Sequence, residues 1–311
     1  MKRLIITLCL TISLAMGSFG IGLSGDFQKG LDAAQNGDYA TALKEWTPLA
    51  EEGDATAQFN LGVMYEKGEG VPQDYKAAAN WYKLSAEQGY ANAQYNLGVI
   101  YDKGQGVLQD YMTAVKWYTL SAEQGNAKAQ FNLGQMYRNE YGVPQDYIEA
   151  ARLLRQAAEQ GYPEAQHSLA CMYVNGYGVP EDDEEAFRLF KLSADQGYDY
   201  AQYAIGYAHQ LGLIGPQDLK EAIRWYKLAV GQGNVEAQFK MGKLYETEKS
   251  LMDYKEALKL FKLATKQGHT QAEFCLGHMY AKGKGVSKNY KEAARLYRIA
   301  AKKGYIDAQY Y

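Results

Sequence analysis

Proline and cysteine are scarce in this 311-residue chain, at six and three residues. So few cysteines exclude a small scaffold held together by disulfides, and so little proline excludes collagen-like and proline-rich disordered classes. An excess of one charge is lacking too. The 33 Lys and Arg against 36 Asp and Glu leave a formal net charge of −3, which argues against a general nucleic-acid binder. No apolar run reaches the roughly 20 residues that a bilayer-spanning helix needs. What the chain does have is 32 Gly, 28 Tyr and a hydrophobic fraction of 47%, the composition of a folded, soluble protein.

The first residues read as a secretory signal. Met1, Lys2 and Arg3 give a charged start, Leu4 to Met16 an apolar run of 13 residues, and Gly17-Ser18-Phe19-Gly20 a small, turn-prone exit. We place cleavage between residues 15 and 20 and expect residues 1–20 to be the signal. Cys9 lies inside the apolar run, away from the site where a lipid-anchored precursor needs it. The expectation is an exported protein, periplasmic or secreted, with no membrane span after cleavage. Only Cys171 and Cys275 remain, 104 residues apart and outside any CxxC, so no disulfide is expected.

Everything after the signal repeats with a period of 36. Gly recurs at 53, 89, 125, 161, 197, 233, 268 and 304, and Ala at 42, 78, 114, 150, 186, 222, 257 and 293. A third column reads Asp38, Asp74, Asp110, Asp146, Asp182, Asp218, Asp253 and Asn289. In one unit, Ala57, Leu61, Met64 and Tyr65 fall at i, i+4, i+7 and i+8, one face of a helix A. Gly68 and Gly70 then release the chain, and Val71 anchors the loop. Asp74 is placed to cap a helix B, which buries Ala78, Trp81, Tyr82 and Ala86 and ends at Gly89. A single hairpin cannot bury its own apolar stripe, so the units must stack with their neighbours. The expected fold is all-α, a solenoid of about eight hairpins over residues 21–311. Its repeats span 26–53, 54–89, 90–125, 126–161, 162–197, 198–233, 234–268 and 269–304. Residues 305–311 begin a ninth helix A as a partial cap. The sixth unit, around His209 to Gly215, and the seventh, around Glu246 to Met252, depart from the loop pattern and should turn differently.

The strings AQFNLGVMYEKGEGVPQDYKAAANWYKLSAEQG (57–89) and AQYNLGVIYDKGQGVLQDYMTAVKWYTLSAEQG (93–125) closely resemble the Sel-one-like repeat, a longer cousin of the tetratricopeptide repeat. The resemblance covers about residues 26–311 and implies a right-handed α/α superhelix. It also implies an adaptor that binds proteins or peptides, as in members exported by bacteria. A cysteine-rich secreted branch is linked to penicillin binding. This chain lacks the cysteine pair in each repeat, so that activity is not carried over, and a cell-wall or β-lactam amide hydrolase remains only an alternative by analogy.

Catalytic motifs are missing. There is no Ser-x-x-Lys, no Gly-x-Ser-x-Gly and no His-Glu-x-x-His, and the recurrent Gly-x-Gly ends a helix instead of opening one after a strand. Cys275 and His278, at i and i+3, are the one pair worth testing for thiolate activation or metal binding, with His269 nearby. A core thiol beside a surface imidazole is the simpler reading, so no catalytic residue, metal or cofactor is expected. The acidic run Glu181 to Glu185 surrounds a helix start, where the helix dipole favours negative charge.

By analogy with tetratricopeptide grooves, two columns of helix A point to a concave face that takes a protein or peptide. The first is Phe59, Tyr95, Phe131, His167, Tyr203, Phe239 and Phe274; its uniformity also suits core packing. The second is Val63, Val99, Gln135, Cys171, Tyr207, Lys243 and His278, which varies as a recognition surface would. Charge is unevenly spread: residues 240–304 hold 15 Lys and Arg against six Asp and Glu, while residues 18–239 hold 16 against 29. Such polarity suits an anionic partner at the basic region, or salt-sensitive self-assembly of opposed ends. No nucleic acid is expected.

Overall fold

Thirty-six residues are enough for two short helices and two turns, and this unit recurs throughout the computed structural model, which describes residues 24–310. The expected signal segment lies outside the described residues. Sixteen α-helices follow one another, with no strand among the described residues. The chain divides into two compact units, residues 1–160 and 161–311. In the first, the helices are α1 (Ser24–Gln35), α2 (Tyr39–Glu51), α3 (Ala55–Lys67), α4 (Tyr75–Glu87), α5 (Ala91–Lys103), α6 (Tyr111–Glu123), α7 (Ala127–Asn139) and α8 (Tyr147–Glu159). In the second they are α9 (Pro163–Asn175), α10 (Asp183–Asp195), α11 (Asp199–Leu211), α12 (Leu219–Gly231), α13 (Val235–Thr247), α14 (Tyr254–Lys266), α15 (Thr270–Lys282) and α16 (Tyr290–Lys302). Odd-numbered helices are the A helices and even-numbered ones the B helices. Each unit is therefore a solenoid stack of four hairpins.

The Asp column does what an N-cap should. Asp38, Asp74, Asp110, Asp146, Asp182, Asp218, Asp253 and Asn289 each accept a hydrogen bond from a backbone N–H in the first turn of a B helix. The acidic run belongs to this pattern, since Asp182 caps α10 and Glu185 pairs with Arg188 at 2.6 Å. The cores confirm that hairpins stack. One cluster joins Ala78, Ala79, Tyr82 and Ala86 of α4 to Ala93, Leu97 and Ile100 of α5 and to Trp117 of α6. In the second unit Ala222, Tyr226 and Ala229 of α12 meet Met241 and Leu244 of α13 and Leu260 of α14. Trp81, expected in the core, is only half-buried, whereas Trp117 and Trp225 are buried.

A and B helices approach closely because a small residue on A seats a large one on B. The pairs are Gly62–Tyr82, Gly98–Tyr118, Gly134–Leu154, Gly206–Tyr226, Gly242–Phe261 and Gly277–Tyr297. The Tyr82, Tyr118 and Tyr226 rings are fully buried there. Three hydroxyls reach a polar residue near the end of the same A helix: Tyr82 donates to Glu66, Tyr118 to Asp102 and Tyr226 to Gln210.

Loops between A and B helices usually open with a left-handed residue. Gly68, Gly104, Gly176, Gly212 and Gly283 take φ between 64° and 72°. In the seventh repeat, whose loop between the two helices has no glycine, α13 ends on an extended Glu248. The sixth keeps the left-handed turn at Gly212 and differs further on, where Gly215 has φ 134°. A third departure lies outside the two expected: Glu140 occupies the left-handed position at the end of α7, with φ 61°. A side chain is strained there and glycine is not, so Glu140→Gly is expected to stabilise the chain by about 0.5–1 kcal/mol in urea unfolding. The segment expected to start a ninth A helix is instead a 3-10 helix, Ile306–Tyr310, with Ala308 buried in the register of Ala57.

Candidate functional site

Along the first A-helix column, four rings are held between one ring of their own hairpin and one at the start of the next repeat. Phe59 lies 5.8 Å from Tyr82 of its own hairpin and 5.1 Å from Tyr90 at the start of the next. In the second unit His167 sits 5.4 Å from both Phe190 and Tyr198, and Phe239 is 6.1 Å from Phe261 and 4.5 Å from His269. Phe274 is likewise set between Tyr297 and Tyr305. Tyr95 meets Tyr118 at 6.0 Å, and Tyr203 meets Tyr226 at 5.9 Å. Six of these side chains, Phe131 among them, are half-buried, and Phe239 is buried. The column therefore has a packing role between repeats. The signal was visible at the helix-A cap position, where Tyr90, Tyr162 and Tyr198 stand in place of a capping side chain.

The second column is half-buried in every repeat. In the first unit Val63 and Val99 rest against neighbouring cores, and Gln135 continues the register. In the second unit Tyr207 stacks on Tyr203 at 6.0 Å and carries Lys240 Nζ 4.7 Å over its ring. Lys243 is already engaged, 3.0 Å from Glu246. Glu246 is buried, and Lys284 in the following loop approaches it at 3.6 Å. The acid turns to lysines here because its B-helix partner is Phe261, which has no hydroxyl to offer it.

Neither Cys171 nor Cys275 is in a disulfide among the described residues. Burial pushes the Cys275 thiol up to about 11, so it does not rest as a thiolate, and burial followed by Lys284 lowers His278. These two do not form an activated pair. Sequence reasoning missed a different proximity: Cys171 Sγ lies 3.8 Å from His167 Nε2, one helical turn away. Among the described residues, no group of three His, Cys, Asp or Glu is arranged to hold a metal ion. Nor is any described helix long and apolar enough to cross a membrane.

A polar clamp fixes the A helices relative to the B helices behind them. Gln88 Nε2 donates to Gln58 Oε1 at 2.8 Å and to the Gly53 carbonyl at 2.9 Å, and Gln58 in turn donates to the Ala50 carbonyl of the preceding hairpin. The side-chain pair recurs as Gln124–Gln94 and Gln160–Gln130 in the first unit. It recurs as Gln196–Gln166, Gln232–Gln202 and Gln267–Gln238 in the second. In the last hairpin both partners change together, and Lys303 donates to Glu273 at 2.6 Å.

An array of hairpins that clamps each A helix from α3 to α15 and leaves one register position of it half-buried defines an α/α repeat protein of the tetratricopeptide-like type. The chain belongs to the Sel1 repeat family, whose model matches residues 55–90, 91–126, 127–162, 163–198, 199–234, 235–269 and 270–305. The hairpin α1–α2 precedes the first of these matches. A Sel1 repeat protein from Oxalobacter formigenes is 32% identical with a TM-score of 0.74, over 93% of this chain and 86% of that one. A protective antigen present in uropathogenic Escherichia coli strains, displaying an SLR fold, is also 32% identical, with a TM-score of 0.66 over 92% and 70%. No curated protein matches the chain.

Proposed function

We propose that this protein is an exported, non-enzymatic scaffold that captures an extended peptide or a partner helix along its A helices. The observation that carries the reading is the second column. Val63, Val99 and Gln135 in one unit, and Cys171, Tyr207, Lys243 and His278 in the other, change chemistry from repeat to repeat while each stays half-buried. A rigid stack presents such positions in a fixed register, so affinity comes from several small preorganised contacts. Export is supported by the signal-like first 20 residues and fits the description of the E. coli relative as a protective antigen.

Peptides selected from a random library against the purified chain are expected to bind with micromolar affinity. Tyr207→Ala is expected to lower that affinity about tenfold, as removal of an aromatic anchor does, while Lys227→Glu, on the B-helix side, leaves it unchanged. Equal binding by wild type, Tyr207→Ala and Gln135→Arg in fluorescence anisotropy would place the docking face elsewhere. For export, mass spectrometry of the chain from an expressing bacterium should find an N-terminus between residues 16 and 21. Recovery of the intact N-terminus in the cytoplasm would remove that part of the reading.

A further inference from the structure

The excess of lysine and arginine toward the C-terminus is ordered in two dimensions. On α14 the exposed cations are Lys255, Lys259, Lys262 and Lys266, at i, i+4, i+7 and i+11, a single stripe of the helix. On α16 the same four positions are Lys291, Arg295, Arg298 and Lys302, and on α12 three of them are Lys220, Arg224 and Lys227, all exposed. Neighbouring cations along a stripe are about 4.5–6 Å apart along the helix axis. Helices in contact lie about 8–10 Å apart, and successive B helices share each core through the A helix between them. Glu221, Glu256 and Glu292 pair with Arg224, Lys259 and Arg295. The other eight cations have no carboxylate within ion-pair distance among the described residues. Leu258 and Leu263 sit half-buried among the lysines of α14, and Leu228 is exposed on α12.

In the first unit the corresponding positions on α6 and α8 are mixed, with apolar or acidic residues at the ends of each stripe and cations between them. On α6 they are Met112, Lys116, Thr119 and Glu123, and on α8 Ile148, Arg152, Arg155 and Glu159. An acidic face of a second copy would therefore bring its own Lys116, Arg152 and Arg155 against the array. A linear polyanion would favour one basic line with aromatic platforms, and the twelve grid positions on α12, α14 and α16 hold no aromatic residue. Laterally mobile headgroups, by contrast, can gather under a two-dimensional set of cations, while lysine stems and leucine tips sit at the interface.

We propose that the outer face of α12, α14 and α16 docks on anionic phospholipid headgroups. This face is distinct from the A-helix column, so its failure would leave the peptide-binding reading standing, and the reverse holds too. The test is cosedimentation of the purified chain with phosphatidylcholine vesicles, with or without about 30 mol% phosphatidylglycerol. Binding is expected only to the anionic vesicles, and it should vanish at about 0.5 M NaCl, where the Debye length is only a few ångströms. Lys262→Glu, Lys266→Glu and Arg298→Glu combined should lower partitioning about a hundredfold or more, from about fivefold per lost cation. Lys76→Glu, Lys83→Glu and Lys116→Glu, with the same change in net charge, should leave it within about twofold if the array, not net charge, governs binding. The single variants Lys262→Glu and Arg298→Glu serve if the triple variant loses its helical signal. Equal binding to neutral vesicles, equal loss in both triple variants, or no loss in the array variants would overturn the proposal. So would retention on a single-stranded oligonucleotide without retention on vesicles.

Discussion

Gly98→Ala is expected to destabilise the protein by about 2 kcal/mol, even though alanine is the better helix former by about 1 kcal/mol. A Cβ on Gly98 would stand 2.6 Å from Tyr118 Cδ1 and 2.7 Å from Cε1, with that ring fully buried. The ring has two neighbours to fail at once, because moving it also disturbs its hydrogen bond to Asp102. Overpacking of a well-filled core costs about 1–3 kcal/mol, and a contact this short belongs at or above the upper end, which outweighs the helix propensity gained. Gly231→Ala on α12 provides the opposite sign, since a Cβ there would meet nothing within 4 Å and the residue is not in a left-handed conformation. It should stabilise by about 0.5–1 kcal/mol. The chain contains a natural version of the first substitution. Ala170 stands in the glycine column, and its partner Phe190 is half-buried where Tyr82, Tyr118 and Tyr226 are fully buried. Urea unfolding of the two variants checks both signs; a neutral Gly98→Ala would mean that the ring relocates freely and that close A–B packing is not what the glycines provide.

Much of this architecture was legible because its determinants lie within one helix or one turn. The Asp column reads as caps since a cap bonds residues two or three positions away, and the Gly column reads as helix ends for a similar reason. What escaped notice depends on residues about 30 positions apart. The sandwich of Phe59 between Tyr82 and Tyr90 requires a ring from the following repeat, and hydrophobic periodicity within one helix carries no record of it. The glutamine clamp was overlooked although Gln58, Gln94, Gln130, Gln166, Gln202 and Gln238 form as regular a column as the alanines. Periodicity arguments attend to apolar positions, and a polar residue that recurs is easily assigned to solvent. Here those side chains are buried, with at most 5% of their surface exposed. Glu140 escaped because Gly142 two residues later keeps the loop glycine-containing, so the loss of the first glycine does not interrupt the pattern. At the candidate site, sequence reasoning found both A-helix columns and saw that the uniform first one suits packing, but not which side chains hold each position. Lys243 looked like an open recognition residue, and its engagement with Glu246 follows from Phe261 replacing a tyrosine on another helix.

Lys303→Met is expected to weaken the last hairpin by about 2–3 kcal/mol, and the reason lies in the joint exchange of both clamp residues. Glu273 is 4% exposed, and Lys303 Nζ is 2.6 Å from its Oε1 and 3.1 Å from the Gly268 carbonyl. The lysine thus reaches the same two kinds of acceptor that Gln88 reaches in Gln58 and Gly53. Removing it strands a buried carboxylate, which costs about 3–5 kcal/mol in fully buried pairs and less here because the lysine side chain is 38% exposed. The other oxygen, Glu273 Oε2, is buried without a hydrogen-bond partner among the described residues. At the equivalent point Gln58 donates to Ala50 and Gln94 to Ala86, an amide function that a carboxylate lacks. Glu273→Gln with Lys303→Gln should therefore restore the clamp of the other hairpins and recover the loss, matching or exceeding wild-type stability. Amide exchange in α15 and α16 reads local opening of this hairpin directly, with urea unfolding alongside it. Faster exchange in Lys303→Met and wild-type or slower exchange in the double variant would establish the clamp as an interchangeable part of the fold. A double variant as weak as Lys303→Met would show instead that the ion pair, and not the clamp geometry, holds the last hairpin in place.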